Sequence, residues 1–375
     1  MIIGSVKEIK EFENRVGLIP RHVTEYIKAG HQVFVEQGLG LGSGFKDEDY
    51  IEYGATVLET AAEVWEKVDM MIKVKEPLEA EFSLMKKGQI LFTYLHLADN
   101  PKLTKALLEK QVSAIAYETV TDQEGRLPLL KPMSEVAGRL SIQEGAKYLE
   151  KTYGGKGILL SGVPGVRSGH VTIIGGGVVG MSACKTALGT GATVAVLDRN
   201  LERLAYIEDV FSGQVETLYS DEKTIVEELK RADVVVGSVL LPGAKAPKLV
   251  RREHLKIMEP GTVLVDVAID QGGCFETSHP TSHKDPVYII DGIVHYSVSN
   301  MPGAVPQTST LALANASLPY GIVIARYGIE KAAMRNEGIL NGLNTHQGFV
   351  TNKAVASSLN LEYREFKKIE KVMQI

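Results

Sequence analysis

The amino-acid sequence predicts an α/β fold built on two parallel sheets, and three observations carry that expectation. Short apolar runs alternate with amphipathic stretches along both halves of the chain, the βα pattern of a parallel sheet with helices on both faces. With 375 residues the chain exceeds the ~250–300 residues at which a single core stops growing, so two domains are expected. Val171-Thr-Ile-Ile-Gly175-Gly-Gly177-Val-Val-Gly180, followed by Thr193–Asp198, sets strand, glycine turn, helix and second strand in the order a dinucleotide needs.

In chain order, the first domain is expected to hold strands at Ile2–Val6, Gln32–Glu36, Met70–Val74, Gln89–Leu97 and Val112–Tyr117. Helices fall between them at Arg21–Ala29, closed by Gly30, at Thr60–Lys67 and at Pro101–Lys110, with a loop over Gly38–Gly44. Thr121–Pro132 is rich in turn residues, and Ser134 has the character of the N-cap of a long helix running to about Lys151. The second domain offers five strands, Val171–Ile174, Thr193–Leu197, Asp233–Val236, Val263–Val267 and Val287–Ile290, which would form a Rossmann-like sheet. Past Asn300 the pattern is helical, at Thr310–Arg326, Lys331–Asn336, Asn352–Leu359 and Arg364–Met373, with no strand partners. The economical place for this tail is back on the first domain, which then becomes discontinuous.

Composition narrows the function classes. The chain is 44% hydrophobic and 23% charged with a net charge of −5, without the basic excess that nucleic acid demands. Its two cysteines, Cys184 and Cys274, cannot frame a disulfide scaffold, and Met1-Ile-Ile-Gly-Ser-Val-Lys lacks a signal-peptide layout, so a cytoplasmic location is expected. The long uncharged run Gly292–Ala325 carries Asn300, Gln307, Asn315 and three prolines, and is read as no membrane segment.

At the glycine turn each residue has its own task. Gly175 permits the tight turn off the strand, Gly177 lets a pyrophosphate approach the backbone, and Gly180 lets the helix pack on the sheet. The helix from Val178 directs free N–H groups and its positive end at phosphates. Asp198 ends the second strand, where a carboxylate suits ribose hydroxyls and repels a 2′-phosphate, favouring NAD over NADP. Arg199 and Arg203 argue the other way, since a guanidinium accepts a 2′-phosphate.

Other residues suit chemistry on a small acid. Period-two alternation puts Lys73 and Lys75 on one face of a strand ending at Pro77, and His96 at the C-terminal end of another, where open α/β sheets bind ligands. Against this stand a solvated lysine and a core-edge histidine. Arg15, ahead of the first helix, has the geometry to clamp a carboxylate, or to form a surface ion pair. Asp270 lies past a strand end in a glycine-rich turn, as a base for water or as an ordinary turn residue; Asp266 lies a step too early to reach a crevice. His279 and His283 are interrupted by Pro280 and do not read as a zinc site, Glu118 has no evident partner, and Cys184 reads as packing.

Taken together, Asn14-Arg15-Val16 with Pro20, Lys73-Val-Lys75-Glu-Pro77, Tyr94-Leu-His96-Leu-Ala98, Lys131-Pro-Met-Ser134-Glu, the glycine turn, Asp266-Val-Ala-Ile-Asp270-Gln-Gly-Gly273 and Asn300-Met-Pro-Gly-Ala-Val-Pro306 span nearly the whole chain. They resemble the alanine dehydrogenase family, in the superfamily that includes the NAD-binding component of proton-translocating transhydrogenase. The resemblance implies a nucleotide domain, residues 129–305, inserted into a substrate domain of residues 1–128 and 306–375, and a homohexamer. It implies that Arg15 and Lys75 hold the substrate carboxylate and that His96 and Asp270 are the acid/base residues. NAD contacts are implied for Ser134, Val178, Val179, Asp198, Arg203, Ser220, Val239, Leu240, Val267, Ala268, Ile269, Asp270, Val298, Ser299, Asn300 and Met301. Position 203 is often Lys in relatives, which keeps the charge. Some members pair the position of Glu118 with a histidine at a cation site; Tyr327 stands there in this chain, and no metal is expected. The implied reaction is NAD-dependent oxidative deamination of L-alanine to pyruvate and ammonium. A nucleotide-binding partner module and a 2-hydroxy acid dehydrogenase are the competing readings.

Overall fold

The structure is a computed structural model that describes residues 1–239 and 246–366. The chain divides into two compact units, Met1–Met133 with Val305–Ile375, and Ser134–Ala304.

In the first unit the strands are β1 (Ile2–Ser5), β2 (Gln32–Glu36), β3 (Thr56–Leu58), β4 (Met70–Ile72), β5 (Ile90–Thr93) and β6 (Ser113–Ala116). The second unit follows with β7 (His170–Ile174), β8 (Thr193–Asp198), β9 (Glu216–Tyr219), β10 (Val234–Gly237), β11 (Val263–Asp266), β12 (Val287–Ile290) and β13 (Ile293–Tyr296). The chain then returns to the first unit with β14 (Leu343–His346) and β15 (Phe349–Val350).

Among the described residues the first sheet has the order β15-β14-β6-β5-β4-β1-β2-β3, with β1 to β6 parallel. Strands β4, β5 and β6 are buried along their whole length, as strands covered on both faces must be. Trp65, Met71, Leu91, Leu103, Leu107 and Val355 build the core beneath one face.

The tail departs from the expectation that no strand partners remain there. β14 pairs antiparallel with β6, and β15 with β14. Leu343-Asn-Thr-His346 is too short and polar to announce itself, but all four residues are buried, between β6 and β15. The helices expected at Thr310–Arg326 and Lys331–Asn336 are one segment, Pro306–Arg335, interrupted by Gly328 at φ 74°, ψ 161°. By length and composition alone it is apolar enough to cross a membrane. It is seamed into the first unit instead: the Val16 N–H donates to Thr310 Oγ1 at 3.1 Å, and Gly321 lies so close to Tyr26 that a Cβ would stand 2.1 Å from its hydroxyl. The helix expected at Arg364–Met373 falls almost entirely outside the described residues.

Ser134 is not an N-cap. The helix starts three residues earlier and spans Lys131–Tyr148, because Pro132 fits its first turn, where the missing N–H costs nothing. Among the described residues of the second unit the sheet has seven strands rather than five, in the order β12-β13-β11-β10-β7-β8-β9. β9 lacks the apolar run of its neighbours, since Glu216 and Tyr219 are exposed and only Leu218 packs against the core. Val287–Ile290 is an edge strand antiparallel to β13 rather than a fifth parallel strand. The signal was present: Asp291-Gly292, with φ of 51° and 81°, is the two-residue turn of a hairpin.

The first sheet thus lays its third, second, first, fourth, fifth and sixth strands side by side, and the second follows the same doubly wound order with β13 in the sixth place and β12 added outside it, which places a switch point between β1 and β4, and another between β7 and β10.

Candidate active site and nucleotide site

In the first unit the loops leaving β1, β4, β5 and β6 carry the charged side chains. Strand β4 ends at Ile72 rather than at Pro77, so Lys73 and Lys75 belong to the loop beyond it. Their fates differ. Lys73 is wholly buried, with Nζ 2.9 Å from Glu8 and 3.0 Å from Glu81. Glu8 also accepts the N–H groups of Val74 at 2.6 Å and Lys75 at 3.0 Å, so the ion pair fixes the backbone that presents Lys75. Burial pushes the Glu8 carboxyl above its ordinary value, against the pull of Lys73. Lys75 is ion-paired with none of these acids, and burial, aided by the nearby Arg15 charge, holds its ammonium below the ordinary lysine value.

Arg15 is buried, not a surface residue. Glu13 receives its Nε at 2.7 Å and one terminal nitrogen at 2.5 Å, and also accepts the Arg15 N–H at 3.1 Å. This two-point grip sets the plane of the guanidinium, whose other terminal nitrogen lies 3.1 Å from Met133 Sδ. Gly17 lets this loop lie against the Lys73 backbone, which a Cβ would meet at 2.9 Å.

Strand β5 likewise ends at Thr93, and His96 sits three residues past it, in the left-handed region with φ 49°. Its side chain is exposed, and the Tyr94 ring lies parallel to it at 6.2 Å. Tyr94 is buried and donates to the Leu129 carbonyl at 2.5 Å. Arg15 is close enough to Tyr94 to act on its phenol. Arg15, Lys75, Tyr94 and His96 therefore share one neighbourhood. Glu118, for which the sequence offered no partner, accepts the N–H groups of Leu95 and His96. Among the described residues no group of three or more His, Cys, Asp or Glu is arranged to hold a metal ion.

In the second unit Gly177 caps the helix Val178–Gly189. Gly175 has φ 106°, and a Cβ there would stand 3.0 Å from the Ser238 backbone; at Gly180 it would stand 1.9 Å from the Gly175 carbonyl. At Gly177 a Cβ would meet nothing within 4 Å, so the helix start faces open space. Asp198 accepts the Gly176 N–H at 2.7 Å and the Asn200 N–H at 2.9 Å, while Arg203 Nε donates to the Gly176 carbonyl. Both therefore fasten the turn. The Ser220 N–H donates to the Asp198 carbonyl. Val178 is exposed, Val179 belongs to the first helical turn, and the carbonyl of Val179 would lie 2.2 Å from a Cβ at Gly138, so the helix bearing Ser134 packs tightly on this one. Val239 borders Gly175, whereas Leu240 lies outside the described residues.

After β11, Val267 and Ala268 lead into a short 3-10 turn, Ile269–Gln271, that carries the exposed Asp270. Asp266, set aside by the sequence reading, holds this loop: its buried carboxylate accepts the N–H groups of Cys274 at 3.0 Å and Phe275 at 3.1 Å. Val298 is buried, the Ser299 N–H donates to Thr281, Asn300 is left-handed at φ 61°, and Met301 is buried at the start of the turn Met301–Ala304. The tight, open-faced glycine turn, the helix start and the acid at the end of β8 fit a pyridine dinucleotide.

Comparison with known proteins agrees with this geometry. Residues 4–137 match the family described as alanine dehydrogenase/PNT, N-terminal domain, and residues 141–353 its C-terminal domain. The chain is 55% identical over 369 residues to an alanine dehydrogenase of Methanococcus maripaludis, covering 98% of this chain and 99% of that one. A solved L-alanine dehydrogenase superposes with a TM-score of 0.94 at 50% identity, over 96% of this chain and 99% of that one. A transhydrogenase from Sinorhizobium meliloti, at TM-score 0.81 and 23% identity over 94% of this chain and all of that one, shares the fold. The chain belongs to the alanine dehydrogenase family of pyridine-nucleotide-dependent oxidoreductases.

Proposed function

We propose that the protein catalyses the reversible, NAD-dependent oxidative deamination of L-alanine to pyruvate and ammonium. The observation that carries this reading is the buried Arg15, aimed by Glu13, beside Lys75, which neither Glu8 nor Glu81 engages, and the His96 loop: two cations and an acid/base group where a small carboxylate would sit. Bound NAD supplies an acceptor for the hydride leaving Cα. Gly175, Gly177, Val178, Val179 and Gly180 would hold its pyrophosphate and Asp198 a ribose. Ser134, Arg203, Ser220, Val239, Leu240, Val267, Ala268, Ile269, Val298, Ser299, Asn300 and Met301 would complete its surroundings.

Arg15 and Lys75 fix the substrate carboxylate, so that hydride departure proceeds from one orientation. The iminium product then needs water. Asp270 orients and deprotonates that water, and His96 shuttles the proton as the carbinolamine forms and collapses. Preference for NAD over NADP rests on Asp198, whose charge would oppose a 2′-phosphate. The homohexamer rests on family likeness, and a cytoplasmic location on two free, buried thiols, Cys184 and Cys274.

The test follows nicotinamide absorbance with pyruvate and NADH, with and without ammonium, then with NADPH. Oxidation that requires both ammonium and NADH is expected. Oxidation without ammonium would make the protein a hydroxy-acid dehydrogenase, and binding of NADH without turnover would leave a nucleotide-binding partner module. His96→Ala and Asp270→Asn should each abolish turnover while NADH still binds.

A further inference from the structure

Three loops of the protein share one device, a carboxylate that accepts consecutive backbone N–H groups: Glu8 from Val74 and Lys75, Asp266 from Cys274 and Phe275, and Glu118 from Leu95 and His96. In the first two the carboxylate is buried and serves the fold as much as the loop. Glu118 is different in what it holds, since it reaches the backbone of a proposed acid/base residue itself. We infer that Glu118 is a positioning residue for His96, acting through the main chain.

The geometry supports this step by step. Glu118 lies in a 3-10 turn directly after β6, and Leu95 and His96 follow the neighbouring parallel strand β5, so the carboxylate spans adjacent strand ends. The His96 N–H donates to Oε1 at 2.6 Å, and the Leu95 N–H lies 3.2 Å from both oxygens. Consecutive N–H groups converge on one anion when the backbone enters the left-handed region, which forms an anion-binding nest. His96 is in that region, at φ 49°, an uncommon conformation for a side chain with a Cβ. Glu118 thus supplies the anion that makes this conformation worth adopting, and the conformation sets the direction in which the imidazole leaves the backbone. A methyl side chain at 118 would leave two N–H groups to water, and the loop would sample extended conformations that carry the ring elsewhere.

This inference rests on the reading of His96 as an acid/base residue, so His96→Ala is measured alongside. Glu118→Ala should lower kcat about 10- to 100-fold, a part of the roughly 10²- to 10⁴-fold that a positioned general acid–base group contributes, with the NADH dissociation constant unchanged within about twofold. Glu118→Gln keeps one acceptor oxygen and should recover most of the loss, and added formate should partly restore Glu118→Ala by entering the nest. Hydrogen exchange should show lost protection at the amides of Leu95 and His96 in the alanine variant. Wild-type kcat in Glu118→Ala, or a loss that neither glutamine nor formate relieves, would overturn the inference. Full turnover by His96→Ala would instead overturn the site assignment beneath it.

Discussion

Replacing Lys73 by methionine separates a structural lysine from Lys75, the proposed carboxylate ligand two positions away in the same loop. Lys73 has no exposed side-chain surface, and Glu8 and Glu81, at 2.9 and 3.0 Å, are buried beside it. Methionine fills much the same volume but strands two carboxylates without a cation. Breaking a buried ion pair by removing one partner costs about 3–5 kcal/mol. At a urea slope of about 2 kcal/mol/M, that moves the unfolding midpoint down by about 2 M. The chain supplies its own probe, because its single tryptophan, Trp65, is buried in the core of the same unit. Glu8 already titrates above its ordinary value, and without Lys73 it rises further. A carboxyl raised in the folded state stabilises while protonated, so the deficit should be small in acid and grow as pH rises through the folded value. Glu8→Gln in the same background keeps an acceptor for the Val74 and Lys75 N–H groups and should recover much of the loss. The KM for pyruvate should rise, since the Lys75 backbone hangs on Glu8, while NADH affinity holds. A urea midpoint within about 0.5 M of the parent, roughly 1 kcal/mol at that slope, would refute the reasoning.

Three further outcomes are expected. Gly180→Ala places a methyl 1.9 Å from the Gly175 carbonyl; the turn must open, with a loss of about 1–3 kcal/mol in stability by overpacking and at least tenfold weaker NADH binding, read by fluorescence titration. Lys75 titrates below the ordinary lysine value because of burial and Arg15; since a carboxylate binds the charged form, the KM for pyruvate should climb as pH rises through that lowered value, and a flat profile to pH well above it would exclude Lys75 as a ligand. His22 is buried with its imidazole pushed down to about 4; a depressed histidine binds protons in the unfolded chain first, so stability falls by up to about 3 kcal/mol as pH drops from about 6.5 to 4, and His22→Gln should lose less between those limits.

The sequence announced what rests on periodicity and on glycine geometry. The apolar runs of β4, β5 and β6 and the turn at Gly175 to Gly180 are local patterns, each complete within some ten residues. What it concealed depends on residues far apart. Leu343–His346 becomes a strand only because β6 presents it an unpaired edge, and Glu216–Tyr219 only because β8 does. The same division runs through the candidate site. Arg15, Lys75, His96 and Asp270 stand in recognisable strings, whereas the tasks of their supports are not written there: Glu8 stands alone, and Asp266 and Glu118 are visible as acids without the distant backbone N–H groups they hold. Glu13 was nearest to legible, since it precedes Arg15 by two positions and pairs with it across a bend. Lys73 and Lys75 show the limit most clearly: identical residues, two apart, and only the positions of Glu8 and Glu81 decide which is sealed in.

The late strand β14 has a consequence for the birth of the molecule. Val112 accepts from Thr345, and Ser113 meets His346, across 233 residues of sequence. At a synthesis rate of about 5–20 residues per second, β6 waits some 10–50 s for its neighbour, while the whole second unit is made and can fold. During that interval the β6 edge of a parallel sheet stands without its partner, and any chaperone that guards the nascent chain has that edge to guard.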